Sequence, residues 1–115
     1  MKVSFEGIGE QVVTFASSVQ APAEKGCPVV MTGSAQVGAA GAGEKFVGIA
    51  LASQGNYCAV QTAGFIKVGY SGQSPAVGFK TLAADGAGGV MADEGGREYL
   101  VAEVDEAGLT ATILL

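Results

Sequence analysis

Histidine and tryptophan are both missing from this 115-residue chain, and each absence removes a class of chemistry. Without histidine there is no side chain whose ordinary pKa lies near neutrality, and neither a Ser-His nor a Cys-His nucleophile pair can be assembled. Without tryptophan, and with aromatics at only 7%, the large amphipathic rings that recognition surfaces favour are scarce. Basic residues are few as well: 6 Lys+Arg stand against 11 Asp+Glu, for a net charge of -5. That balance repels the phosphate backbone that supplies most non-specific nucleic-acid affinity, and it opposes adsorption to anionic membranes, so neither is expected as a partner. No apolar run approaches the roughly 20 residues of a spanning helix, and Met1-Lys2-Val3-Ser4-Phe5-Glu6 lacks the apolar stretch of a signal peptide. A soluble protein made in the cytoplasm is expected. The only cysteines, Cys27 and Cys58, are too few and too far apart for a zinc site, and CxxC is absent. The cytosolic setting favours two free, partly buried thiols over a disulfide.

What is abundant is glycine, 19 residues, together with a hydrophobic fraction of 49% and a mean hydropathy of +0.39. The length fits a single domain over residues 1–115 with one core. Glycine interrupts every window that would otherwise keep apolar residues at helical spacing, whereas several windows alternate with period two. The expected fold class is therefore mainly β, a small single-domain barrel or sandwich with glycine-rich loops. Expected strands are Gln11 to Phe15, Pro28 to Met31, Phe46 to Ala52, Tyr57 to Thr62 and Phe65 to Tyr70.

Within these, Val47, Ile49 and Leu51 are expected on one face, with Gly48 and Ala50 on a second face open to close approach. Ile66, Val68 and Tyr70 are expected to share a face opposite Phe65 and Lys67. A C-terminal β-hairpin is expected from Glu98 to Val104 and Leu109 to Leu114, joined by Asp105-Glu106-Ala107-Gly108. Leu109, Ala111, Ile113 and Leu115 would point one way, and Thr110 and Thr112 the other. The stretches Gly38 to Gly43 and Asp85 to Gly89 read as loops.

None of the motifs that suggest chemistry survives inspection of its spacing. Gly41-Ala42-Gly43-Glu44-Lys45-Phe46 lacks the third glycine of a dinucleotide fingerprint and leads into a strand, and Gly86-Ala87-Gly88-Gly89-Val90-Met91 lacks the Lys-Ser/Thr of a phosphate loop. Gly69-Tyr70-Ser71-Gly72 is not a nucleophile elbow, and no Ser-x-x-Lys occurs. The carboxylate pairs Asp93-Glu94 and Asp105-Glu106 are sequence neighbours, which on a strand point to opposite faces, so they read as solvated turn charge. Lys67 sits within a strand and lacks the methionine-flanked context of a biotinyl or lipoyl carrier lysine. No catalytic residue, cofactor or metal ligand is assigned, and the chain is expected not to be an enzyme.

Four segments taken in order nevertheless carry a resemblance. Lys25-Gly26-Cys27-Pro28-Val29-Val30, then Phe46-Val47-Gly48-Ile49-Ala50, then Ala63-Gly64-Phe65-Ile66-Lys67-Val68, and finally Gly88-Gly89-Val90 with Tyr99-Leu100-Val101 resemble the element order of a known family. The family is that of the small tailed-phage capsid decoration, or cement, proteins, long grouped under a domain of unknown function. Each motif is short, so the resemblance is carried by order and spacing across nearly the whole chain. It implies a β-rich fold closed by a terminal hairpin, frequent trimerisation, and a place on the outside of an expanded capsid, with the major capsid protein as partner. It also implies a virion location.

The segment before the first strand is short here, whereas some decoration proteins carry a long arm. Met1, Lys2, Val3, Ser4 and Phe5 are the candidate capsid contact, since Val3 and Phe5 suit a leading segment that extends a neighbouring sheet. The competing expectations are a non-catalytic β-sandwich recognition module for carbohydrate or protein, and another virion component such as a tail or spike domain.

Overall fold

A computed structural model describes residues 9–115, and the described residues form strands and turns with no helix. The protein is all-β. Strands β1 (Gln11–Ser17), β2 (Pro28–Gly33), β3 (Gln36–Ala39), β4 (Gly48–Gln54) and β5 (Tyr57–Ala63) close into a barrel in the order β1-β3-β2-β4-β5, with β5 returning to β1. Strands β6 (Phe65–Gly69), β7 (Gly78–Ala84), β8 (Val90–Ala92), β9 (Arg97–Asp105) and β10 (Thr110–Leu114) form a second sheet in the order β6-β10-β9-β7-β8. Strand pairs are antiparallel except β1 with β3. A parallel bridge between Tyr70 and Val90 ties the two outer strands of the second sheet, so that sheet also curls toward closure.

The expected strands coincide with β1, β2, β4, β5 and β6, and the expected hairpin is β9 and β10. Strands β3, β7 and β8 were not anticipated. Strand β3 includes Gly38 and Ala39, which the sequence assigned to a loop; it is held by partners on both sides, β1 in parallel and β2 antiparallel. Pairing here overrides a weak local preference.

Buried side chains fall into two clusters, not the single core expected. One fills the barrel with Ala23, Val29, Val37, Ala50, Cys58 and Val60. The larger lies under the second sheet and includes Phe46, Ile49, Val68, Tyr70, Leu82, Tyr99, Val101 and Ile113. Ile49 and Ala50 are consecutive on β4 and belong to different clusters, because alternate side chains leave opposite faces of a strand. Ile66, Val68 and Tyr70 share the second core as expected, with Lys67 exposed on the other face.

Two facing expectations are corrected. Leu51 does not join Val47 and Ile49 on a buried face: Ala50 pairs with Val60 and Ala52 with Ala59, so Leu51 is the extra residue of a bulge, and Val47 is exposed. Leu109 does not share the buried face of Ala111 and Ile113: it is 57% exposed in the turn, where its φ is +54°. Thr112 lies opposite Lys67, on the face away from Ala111 and Ile113 as expected, and is buried there.

Within the barrel, β4 and β5 approach closely just before the chain leaves for the second sheet. A Cβ on Gly48 would lie 2.2 Å from the Gln61 carbonyl oxygen, so the position admits only glycine. Gln61 itself is 2% exposed, and its Nε2 donates to the carbonyls of Ala63 and Phe65, both at 3.0 Å. Those bonds hold the turn that leaves the barrel for the second sheet. At Gly64, inside that turn, φ is +90° and a Cβ would come within 2.9 Å of the Glu10 Cα. Phe46 crosses from the barrel side to stack on Tyr99, with ring centroids 5.0 Å apart and planes 7° from parallel, and the Tyr99 hydroxyl donates to the Phe46 carbonyl at 3.4 Å.

Gly48→Ala is therefore expected to lower stability by at least the ~1–3 kcal/mol of an overpacked core. Gly69→Ala is the control, since a Cβ there would meet the Leu109 carbonyl oxygen only at 3.8 Å, an ordinary contact distance. Urea midpoints that fall for the first variant and stay near the parent for the second are the expected result.

Candidate functional site

The candidate capsid contact, Met1, Lys2, Val3, Ser4 and Phe5, lies outside the described residues. The described chain begins with Gly9 and Glu10 packed against Gly64, next to the start of β6. Function in the described part must be sought in its loops, cavities and faces.

Both glycine-rich loops already hold a carboxylate of their own. The Gly41 N–H donates to Glu44 Oε1 at 2.6 Å, and the Glu44 N–H returns to the Gly41 carbonyl at 3.2 Å, just before the chain enters β4. In the second loop, Asp85 Oδ1 accepts from the N–H groups of Ala87 at 2.7 Å and Gly89 at 2.9 Å, while Oδ2 accepts from the Ser71 hydroxyl at 2.5 Å. Backbone donors that a phosphate would require are thus engaged internally, in keeping with the reading of both stretches as turns. Burial pushes the Asp85 carboxyl up, but the hydrogen bonds from Ser71, Gly89 and Ala87 outweigh it and hold the group below the ordinary carboxylate range.

Ser71 is consequently a tie between the end of β6 and the β7–β8 loop. The sequence offered no sign of this pair, whose members are fourteen residues apart. The acidic pairs also shape turns: Asp93 Oδ1 accepts from Gly95 N–H at 2.7 Å, and Asp105 Oδ1 from Gly108 N–H at 3.1 Å. Their neighbours Glu94 and Glu106 are exposed. Among the described residues no group of three or more His, Cys, Asp or Glu side chains could hold a metal ion, and no helix is long and apolar enough to cross a membrane.

Cys27 and Cys58 are both free. Cys58 is buried in the barrel core, and burial pushes its thiol pKa up. Cys27 is half-buried, and its thiol is raised by burial, then by the negative charges of Glu24 and Asp85. It lines a cavity of about 250 Å³ between Pro22, Glu24 and Pro28 of the barrel and the Gly86–Gly89 loop of the second sheet. A larger groove of about 390 Å³ runs between Gln73–Ala76 and the β7–β8 edge, with Lys80 and Glu94 on its walls and Leu82 among its lining residues. Asp93 also lines the groove, with its Oδ1 taken up by the Gly95 N–H.

No protein-family model matches the chain, and no curated protein matches it either.

Two predictions follow from the loop and thiol geometry. Since Asp85 has a folded pKa below its unfolded value, its contribution is fully present above ~3.9, the ordinary Asp value, and is lost as pH falls through the lowered folded value. The stability gap between the parent and Asp85→Asn should hold steady from pH 7 to about 5 and narrow at about pH 3, as read from urea midpoints. Replacing both cysteines with alanine should leave folding indifferent to reductant and cost about 1–3 kcal/mol, chiefly from the cavity at Cys58. In the parent, an alkylating reagent at neutral pH should react slowly, and with Cys27 before Cys58.

Proposed function

We propose that this chain is a structural virion protein that binds the outside of an expanded phage capsid as a trimer and stabilises the shell. The observation that supports the reading is the position of the resembling segments. Pro28-Val29-Val30 opens β2, Gly48-Ile49-Ala50 opens β4, Phe65 to Val68 lie in β6, Val90 opens β8 and Tyr99-Leu100-Val101 lie in β9, with β10 completing the terminal hairpin. An acidic, compact β domain suits presentation in many copies on a repeating surface, where several weak contacts combine into strong attachment. A protein that binds the assembled shell and not its free subunits stabilises that shell by mass action.

Within this reading Met1 to Phe5 add a strand to an edge of the shell protein, using Val3 and Phe5 as apolar anchors. The recognition-module alternative draws on the exposed aromatics Tyr57 and Phe79, 65% and 68% exposed. They stand on different sheets, Tyr57 on β5 of the barrel and Phe79 on β7, and neither lines the groove at Gln73–Ala76.

Mixing the protein with immature and expanded capsids of its parent phage and pelleting them is the direct test, with co-sedimentation expected for the expanded form alone. Deleting Met1 to Phe5 should weaken that co-sedimentation and leave the oligomer mass otherwise unchanged. Absence of the parent protein from pelleted expanded capsids would remove the decoration reading. Full binding by the truncated protein would remove the role of the N-terminal segment.

A further inference from the structure

The second sheet turns one face to its core and carries an apolar row on the other. Register places Phe65 opposite Leu114, Leu114 opposite Leu100, and Leu100 opposite Phe79, a line across β6, β10, β9 and β7. Directly paired residues project from the same side of a sheet. The adjacent line, Ile66, Ile113 and Val101, belongs to the core, so the first line faces outward. Phe79 is 68% exposed and Leu114 36%. A contiguous apolar strip of this kind is a feature of interaction surfaces.

We infer that this outer face, centred on Leu100, Leu114 and Phe79, is where the chain meets a second copy of itself. A copy is the occupant that the charges favour. Two residues along the strands from the row stand Lys67 on β6 and Glu98 on β9, and Glu103 pairs with Thr112 beside Lys67. One border of the row therefore carries Lys67 with Glu103 near it and the opposite border carries Glu98, so that Lys67 of one copy can meet Glu98 of a rotated copy. Elsewhere the net charge of -5 sets copies against one another. The face is also what the sheet leaves for contact, since the bridge between Tyr70 and Val90 joins its two outer strands. The inference rests on the self-association in the reading above and not on capsid binding.

Light scattering on the full chain at micromolar concentration should give a multiple of 11.4 kDa. Phe79→Asp and Leu114→Asp, both at exposed positions of the row, should each reduce the mass toward that of the monomer with an unchanged far-ultraviolet spectrum. Tyr57→Asp on the barrel should retain the parent mass. A monomeric parent, or both sheet variants at the parent mass, overturns the inference. So does binding of an apolar dye that emerges only when residues 1–8 are deleted, because the row would then be covered by the chain's own N-terminal segment. Pelleting with capsids is a separate readout, so loss of self-association and failure to bind shells are distinguishable.

Discussion

The Gln61 carbonyl occupies the space in which a side chain at position 48 would begin, and the pairing of β4 with β5 depends on that approach. The next two residues of β4 leave opposite faces of the strand and so enter different cores, Ile49 the second and Ala50 the first. Gln61 also serves the exit from the barrel. Its buried amide satisfies the Ala63 and Phe65 carbonyls, which the sharp passage from β5 to β6 would otherwise leave without those donors. A buried carbonyl deprived of its partner costs about 1–3 kcal/mol, so this polar side chain is matched to its apolar setting by two specific bonds. The Phe46–Tyr99 stack adds an apolar tie across the same boundary.

Acidic residues do much of the local shaping. Glu44, Asp85, Asp93 and Asp105 each accept a backbone N–H within a few residues and fix a loop or turn. Part of the negative charge thus serves the fold, while Glu94 and Glu106 beside two of those aspartates remain exposed. Glycine-rich loops become defined because a nearby carboxylate gathers their donors, which offsets some of the conformational freedom that glycine brings.

Much of the fold was legible wherever side-chain alternation was strong. The run Ile66, Val68 and Tyr70 identified both β6 and its buried face, and the small residues of β4 identified a face of close approach. Legibility failed where pairing, and not pattern, makes the strand. Strand β3 offers only Val37 as a β-branched residue, and its two hydrogen-bonded neighbours define it. Bulges at Leu51 and opposite the step from Thr112 to Ile113 shift the alternation by one residue, and no local signal announces them. The split into two cores was hidden for a related reason: it depends on β4 being covered on both sides. Of the candidate site, Met1 to Phe5 fall outside the described residues, whereas the row from Phe65 to Phe79 emerges only when register aligns four separate strands.

The two halves then suggest a division of roles. The chain enters the described fold at Gly9 and Glu10, against Gly64 and beside the Phe65 end of the apolar row. If copies associate through the outer face of the second sheet, their leading segments enter from the margin of that contact. Symmetry repeats that geometry in every copy, so the segments recur at a fixed spacing set by rigid sheets and not by a linker. On the proposed reading, that spacing is what allows several weak strand additions to act together on a regular shell, because multivalent attachment is lost when geometry forbids simultaneous contact.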